Sequence, residues 1–228
     1  MQWIHDYDLF LFDFDGLLVN TEEIHYGAYK RTFEARGYRM KWDFAEYIRI
    51  AHYSSEGLKE RSYAELEGLF EEEPRWDVIY QEKTTHYLGL LESGAAALMP
   101  GVEEFLQLLE RWNKKRAVVT HSGRRLIDKL REKNPALSSI EHWITREDYD
   151  KPKPDPECYR LAVERLAFAG DRVIGFEDSP RGLTALMGTD ALPVIVTEME
   201  YPEIPAFLER GAKHFRNFYE LVENFDKD

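Results

Sequence analysis

Short apolar runs alternate with longer amphipathic stretches over much of this chain. Four runs have strand character, over residues 9–12, 117–119, 173–176 and 192–196. Each run is apolar on both faces, which is typical of strands in a parallel sheet covered by helices on both sides. Helical patterns, such as that over residues 158–168, lie between the last three runs. This alternation predicts an α/β fold with a doubly wound parallel-sheet core, which is Rossmann-like.

The interval from residue 21 to residue 94 breaks this alternation. Its pattern predicts consecutive helices over residues 22–36, 42–52, 54–70 and 74–92, with Thr21 as the first cap and Gly37 as the first stop. Many aromatic residues fall here, and their spacing indicates the core of a helical bundle. We therefore expect an α-helical domain over residues 19–94, inserted into a core domain formed by residues 1–18 and 95–228.

Composition narrows the range of partners and compartments. The chain has 43 acidic and 30 basic residues, a net charge of −13, which argues against nucleic acid as a partner. One cysteine, Cys158, cannot form a disulfide within the chain, and we expect it to be structural. No segment approaches the roughly 18 apolar residues of a membrane span, and the first residues do not resemble a signal peptide. We therefore predict a cytoplasmic protein that does not bind membranes.

Two carboxylates directly follow the first apolar run. Asp13 and Asp15 lie where a buried strand breaks into a turn, and open α/β sheets bind ligands at this end of their strands. Two nearby carboxylates repel each other unless a cation or a proton lies between them. The pair therefore indicates a hard divalent metal, acid/base chemistry or both, although a polar turn that caps the next helix is an alternative.

Polar residues also follow the second and third runs. The segment 120–123 comes after the second run and the segment 177–179 after the third, so both are expected at the same edge of the sheet as the two aspartates. The segment 151–155, which contains two lysines, precedes a helix and brings positive charge to that edge. Acids, a hydroxyl, free backbone amides and a lysine together make a site that can hold a metal and an anion.

Four segments in this order carry a family resemblance. They are DFDGLLVNTEE, VVTHSG, KPKPDPECY and GFEDSPRGLTA, with Pro100-Gly101 at the expected return from the inserted domain. The sequence resembles the haloacid dehalogenase superfamily, in its phosphatase and β-phosphoglucomutase-like branch with a helical cap. The resemblance extends over nearly the whole chain.

The resemblance implies a role for the residues of the first segment. Asp13 would be the nucleophile that forms an aspartyl phosphate, and it would also bind Mg²⁺. Asp15 would be the general acid and base, and its backbone carbonyl would bind the metal.

The resemblance also implies roles for the other three segments. Thr120 and the backbone amide of His121 would hold phosphoryl oxygens, and Lys151 would neutralise charge between the nucleophile and the phosphate. Glu177 and Asp178 would complete the Mg²⁺ shell.

Several of these roles have alternatives. Thr120 would otherwise cap the helix that begins near residue 122. The phosphate lysine would otherwise be Lys153, but we favour Lys151 because of its spacing to the prolines. Glu177 would otherwise support the metal ligands without touching the metal. The His121 ring is a candidate for reaching toward the substrate or for regulating access with pH. We expect Ser179 to be a helix cap rather than a reactive hydroxyl.

These observations favour a Mg²⁺-dependent phosphomonoester hydrolase that acts on a small phosphorylated metabolite, with a sugar phosphate as the favoured class. The alternative is a β-phosphoglucomutase-like mutase, which needs a second phosphate site, with Arg49 or Lys59 as candidates. A dehalogenase needs no metal and would leave Asp15, Glu177 and Asp178 unexplained. A binding or scaffold protein would not need the acidic set.

Overall fold

The computed structural model describes residues 2–93 and 96–225 and divides into two compact units. The sheet unit comprises Met1–Asn20 and Ala97–Asp228, and the helical unit comprises Thr21–Ala96. The first division falls two residues after the predicted boundary between residues 18 and 19. The predicted second boundary, between residues 94 and 95, lies outside the described residues.

The sheet unit is built on a parallel sheet. Six strands are hydrogen-bonded in the order β3-β2-β1-β4-β5-β6, and every neighbouring pair is parallel. This order is that of a doubly wound sheet, and the predicted fold class is confirmed. The strands are β1 Leu9–Phe12, β2 Lys115–Val119, β3 His142–Ile144, β4 Val173–Glu177, β5 Leu192–Val196 and β6 Lys213–Phe215.

The two edge strands, β3 and β6, were not expected from the sequence. Each has three residues, and each contains polar or half-buried positions rather than a continuous apolar run. Edge strands need to bury less of their surface than central ones, so their sequences lack the pattern that reveals β1, β4 and β5.

Among its described residues, the helical unit contains five helices where four were predicted. The helix predicted over residues 54–70 is interrupted, because Leu66 leaves the helical conformation and Gly68 adopts a φ of 87°. Trp42 and Tyr47 are buried in the predicted aromatic core, whereas Tyr53 is 40% exposed. The helices are α1 Glu22–Ala35, α2 Phe44–Ala51, α3 Ser55–Glu65, α4 Leu69–Glu72 and α5 Trp76–Ser93.

Apolar side chains from helices cover both faces of the sheet. Along β1, Phe12 stacks on Phe176 of β4 at a centroid distance of 5.0 Å, within an aromatic group on one face. Leu11 points to the opposite face, because side chains alternate along a strand, and belongs to a separate buried cluster. None of the described helices is long and apolar enough to cross a membrane. The helices of the sheet unit are α6 Val102–Arg111, α7 Arg124–Lys133, α8 Glu157–Leu166, α9 Pro180–Leu186, α10 Ile204–Glu209 and α11 Phe218–Phe225.

Candidate active site

A tight turn after β1 positions the two aspartates. The backbone N–H of Asp13 donates to the Phe176 carbonyl at 3.0 Å, so pairing with β4 continues one residue beyond the strand. The chain then turns back, and the N–H of Gly16 donates to the Val19 carbonyl at 2.9 Å. Gly16 has a φ of 78°, a conformation that a residue with a side chain rarely adopts. The turn therefore leaves Asp13 and Asp15 at the carboxyl end of the central strand.

Two hydroxyl groups from the loop after β2 hold Asp15. The Ser122 hydroxyl donates to Asp15 Oδ2 at 2.6 Å, and the Thr120 hydroxyl donates to the same oxygen at 3.3 Å. The Thr120 oxygen also accepts from the Ser122 backbone N–H at 2.9 Å. Helix α7 has Gly123 as its N-cap, so Thr120 does not cap it. Ser122 was missed from the sequence, although it lies in the same polar segment as Thr120.

A buried lysine joins the acids of two strands. Lys153 is 4% exposed, and its ammonium donates to Asp13 Oδ1 at 2.6 Å and to Glu177 Oε1 at 2.7 Å. It also donates to the Val119 carbonyl at 2.9 Å, at the end of β2. Burial lowers the pKa of Lys153, but the two carboxylates raise it and leave it well above its usual value. The site therefore holds a permanently charged ammonium beside Asp13.

The prediction that Lys151 rather than Lys153 lies in the site is wrong. Lys151 is exposed, and its backbone N–H donates to Glu157 Oε2 at 2.8 Å. The spacing of lysine, proline, any residue, proline and an acid occurs over residues 151–155 and again over residues 153–157. Spacing alone could not distinguish the two registers, because the choice depends on which lysine the loop directs inward.

Glu177 lies at the base of the site and is 1% exposed. The hydroxyl of Tyr159, from the first turn of α8, donates to Glu177 Oε1, the oxygen that also accepts from Lys153. A Cβ atom on Gly182 of α9 would lie 1.9 Å from Glu177 Oε2, so this carboxylate fits only beside a glycine. Tyr159 and Gly182 were not identified from the sequence, where both have the pattern of ordinary helix positions.

Three carboxylates form a possible metal-binding group. Ligand atoms of Asp13, Glu177 and Asp178 all lie within 4.8 Å of one another. Burial raises the pKa of Asp13 well above its usual value, and the charges of Glu177 and Asp178 raise it further, while Lys153 opposes this. The Lys153 ammonium contacts two of these three acids, and a set of three carboxylates with a single nearby ammonium fits a hard divalent cation. Asp15 does not belong to this group, and its predicted backbone contact with a metal stays a prediction.

His121 faces inward as a neutral ring. Its Nε2 accepts from the Lys153 backbone N–H at 2.9 Å, and the ring stacks on Tyr149 at 5.9 Å between centroids. Burial and the nearby positive charge of Lys153 lower the pKa of His121 to about 2. A neutral ring held in this way gives no support to the hypothesis that it reaches for substrate or switches with pH. Its backbone N–H donates to no acceptor among the residues that the structure describes.

The prediction that Ser179 is a helix cap is confirmed at the start of α9. The Ser179 hydroxyl accepts from the Gly182 backbone N–H at 3.2 Å, as expected for a residue at the start of a helix. Ser179 is thus fixed by a structural role next to Asp178.

Comparison with known proteins agrees with this geometry. A family model described as haloacid dehalogenase-like hydrolase matches residues 10–189. The chain therefore belongs to the haloacid dehalogenase-like hydrolases, in their phosphatase branch.

Two curated relatives match most of the chain. Protein CbbY from Rhodobacter capsulatus is 29% identical over 84% of this chain and 85% of its own length. A phosphorylated carbohydrates phosphatase from Thermotoga maritima is 28% identical over 89% of this chain and 90% of its own length.

A solved structure also superposes on this one. A mutant of CbbY from Rhodobacter sphaeroides, in complex with xylulose-1,5-bisphosphate, matches with a TM-score of 0.77 at 25% identity. The alignment covers 94% of this chain and 96% of that one.

Proposed function

We propose that this protein is a Mg²⁺-dependent phosphomonoester hydrolase that acts on a small phosphorylated metabolite through an aspartyl-phosphate intermediate. The observation that carries the proposal is the ammonium of Lys153, 2.6 Å from Asp13, beside the three clustered carboxylates. An anionic nucleophile attacks an anionic phosphate only if nearby positive charge offsets their repulsion. Lys153 takes the role first assigned to Lys151.

In the first step, a carboxylate oxygen of Asp13 forms a bond to phosphorus, and the bond from phosphorus to the departing oxygen breaks. Asp15 in its protonated form gives its proton to that oxygen, so an alcohol leaves. The hydroxyl groups of Ser122 and Thr120 both donate to Asp15 Oδ2 and so orient the carboxyl group that transfers this proton.

In the second step, water hydrolyses the aspartyl phosphate. Asp15 accepts a proton from the water while the water oxygen bonds to phosphorus. The bond between phosphorus and the Asp13 oxygen breaks, which releases the Asp13 carboxylate and inorganic phosphate. The backbone N–H of His121 is the proposed donor to a phosphoryl oxygen. The Thr120 hydroxyl is the proposed second donor, and it would release Asp15 to the Ser122 hydroxyl when it turns to the phosphoryl group. The proton returned to Asp15 readies it for the next cycle.

Asp13, Glu177 and Asp178 would hold the metal, because their ligand atoms lie within 4.8 Å of one another. The backbone carbonyl of Asp15 is a further proposed ligand. When bound, Mg²⁺ offsets the charge of the phosphate and of the acids around it. The chemistry of the donor set supports this choice of cofactor.

A sugar phosphate is the proposed substrate class. One relative is named for phosphorylated carbohydrates, and the superposed CbbY structure holds a sugar bisphosphate. Nucleic acid and membranes are not proposed as partners, because the chain is strongly acidic and none of its described helices can span a membrane. A cytoplasmic location is part of the proposal.

The mutase alternative needs a second phosphate site in the helical unit. Arg49 is exposed on α2, and Lys59 pairs with Glu56 at 3.2 Å on the surface of α3. Neither side chain forms part of a buried anion pocket. We therefore propose transfer of the phosphoryl group to water rather than to a second hydroxyl.

Phosphate release from a panel of sugar monophosphates and bisphosphates tests the proposal, with Mg²⁺ and with a chelator. We expect metal-dependent release that falls by about 10⁴-fold or more in Asp13→Asn. Asp128→Asn, which changes an exposed aspartate of α7, is the matched control and should retain activity.

Three results would contradict the proposal. Activity that survives the chelator would exclude the metal role, and activity that survives Asp13→Asn would exclude the nucleophile. Conversion of glucose 1-phosphate into glucose 6-phosphate without phosphate release would establish the mutase instead.

A further inference from the structure

We infer that Tyr159 is a positioning residue whose hydroxyl fixes Glu177 and thereby keeps Lys153 directed at Asp13. The inference rests on the proposed function, because it concerns the lysine that offsets charge during attack by Asp13. It adds a residue that touches neither the phosphate nor the metal in the proposed mechanism.

The ring of Tyr159 lies in an apolar cluster, and its hydroxyl is buried with it. Its side chain is 0% exposed and belongs to the buried cluster that includes Leu11, Cys158 and Leu183. A buried hydroxyl is costly unless it forms hydrogen bonds. Lys153 donates to it at 3.2 Å, and it donates in turn to Glu177 Oε1. A buried hydroxyl placed between the two charged groups of the site has a specific partner on each side.

The hydroxyl supports Glu177 from a second direction. Glu177 Oε1 accepts from both Tyr159 and Lys153, while Oε2 lies in the space that Gly182 leaves free. With two donors on one oxygen and a close wall at the other, the carboxylate has one orientation. Without the Tyr159 donor, Glu177 Oε1 would accept one hydrogen bond instead of two, from the Lys153 ammonium alone.

The orientation of Glu177 determines that of Lys153. The ammonium has three N–H groups and four acceptors within 3.2 Å, namely Asp13, Val119, Tyr159 and Glu177. If Glu177 rotates, the ammonium follows it and its contact with Asp13 lengthens. Charge compensation at a reacting group is sensitive to displacements of about 0.5 Å, so a small rotation reduces the rate.

The test is Tyr159→Phe, which removes the hydroxyl and keeps the ring in its apolar cluster. Tyr201→Phe is the matched control, because Tyr201 is a buried member of the same cluster whose hydroxyl donates to Met199 Sδ at 3.2 Å. We expect kcat to fall about tenfold in Tyr159→Phe while KM changes less than twofold. Tyr201→Phe should change neither.

A double-mutant cycle separates positioning from packing. If Tyr159 acts through Glu177, Tyr159→Phe should cause no further fall in kcat once Glu177→Ala is present. If Glu177→Ala does not fold, Glu177→Gln takes its place in the cycle. The fall in kcat caused by Tyr159→Phe should then be at most half as large in Glu177→Gln as in the wild type. Equal effects in both backgrounds would overturn the inference.

Urea unfolding of the four proteins of this cycle, and of Tyr201→Phe alone and combined with Glu177→Ala, gives a readout in a chelator that needs neither metal nor substrate. The shift in the midpoint for the double variant should be smaller than the sum of the two single shifts, whereas Tyr201→Phe should be additive with Glu177→Ala. Additive shifts for Tyr159 would overturn the inference even if no substrate is found. Failure of the proposed function would be seen separately, as an inactive wild type.

Discussion

The buried polar groups of the candidate site and the buried Ser62 hydroxyl of the helical unit form different kinds of hydrogen bond. In the sheet unit, the key bonds join distant parts of the chain: the Lys153–Asp13 contact spans 140 residues and the Ser122–Asp15 contact spans 107. In the helical unit, the buried Ser62 hydroxyl donates to the Leu58 carbonyl, four residues earlier in the same helix. A local bond of this kind forms wherever the helix forms, whereas long-range bonds between charged groups exist only in the completed fold.

Lys83, a buried lysine of the helical unit, has a different environment from Lys153. Lys83 is 2% exposed, and its ammonium lies 5.1 Å, 5.3 Å and 5.1 Å from the ring centroids of Tyr29, Tyr80 and Tyr87. It is also 2.5 Å from Nδ1 of His25. The carboxylates around Lys153 bind its ammonium strongly and depend on it for charge compensation. Substitutions at the sheet edge should therefore have the larger effects.

The largest effect is expected from Lys153, whereas Lys151, two residues earlier, should have little effect. Lys153→Met leaves Asp13 and Glu177 buried without their ammonium, and we expect phosphate release to fall at least about 100-fold. The free energy of unfolding should fall by about 3–5 kcal/mol, because a buried ion pair is broken. Steady-state kinetics and urea unfolding measure the two effects.

Lys151→Met is the matched control for this pair, because its side chain is exposed. It should change activity less than twofold and the free energy of unfolding by less than about 0.5 kcal/mol. If Lys151→Met were the inactive variant, the assignment of the two lysines would be reversed.

Gly182→Ala is expected to have the next largest effect. The added methyl group would lie 1.9 Å from Glu177 Oε2, so the carboxylate must move and Lys153 must move with it. We expect kcat to fall by about 10- to 100-fold with helix α9 still formed, which circular dichroism and kinetics would show together. Gly89→Ala, where an added Cβ meets no atom within 4 Å, is the control. Unchanged kcat in Gly182→Ala would show that Glu177 need not keep its position.

The buried His121 should make stability depend on pH. Its folded pKa of about 2 lies below the unfolded value of about 6.5, so the unfolded state binds the extra proton. The contribution of neutral His121 to the free energy of unfolding is fully present above about pH 6.5. It is lost as the pH falls, and the loss is about 2 kcal/mol at pH 5. Urea unfolding of the wild type and His121→Gln at pH 8 and pH 5 measures the difference. An equal pH dependence in the two proteins would show that His121 does not contribute.

The smallest effect is expected in the helical unit. Ser62→Ala removes a hydroxyl that donates a hydrogen bond to the Leu58 carbonyl of the same helix, and alanine is the better helix former. We expect the free energy of unfolding to change by less than about 1 kcal/mol and phosphate release to stay within twofold of the wild type. A loss comparable to that of Lys153→Met would remove the contrast between the two units.

Much of the fold was predictable because its signals are local. The apolar runs of β1 and β5 gave the observed bounds of both strands, and the acids that follow β1 and β4 lie at the carboxyl edge as expected. The helical interval was recognised from its periodicity, but the break at Gly68 was not, because one glycine within a helical pattern is often tolerated.

By itself, the sequence determined the parallel sheet, the helical insertion and the placing of Asp13, Asp15, Glu177 and Asp178 at one edge, since each follows from periodicity or from position after a strand. Only the tertiary structure decided which lysine enters the site and which hydroxyls hold Asp15 and Glu177. Those choices depend on the path of the loops and on the space beside Gly182. Contacts between residues more than 100 positions apart leave no periodic pattern in the sequence, so no local signal could have revealed them.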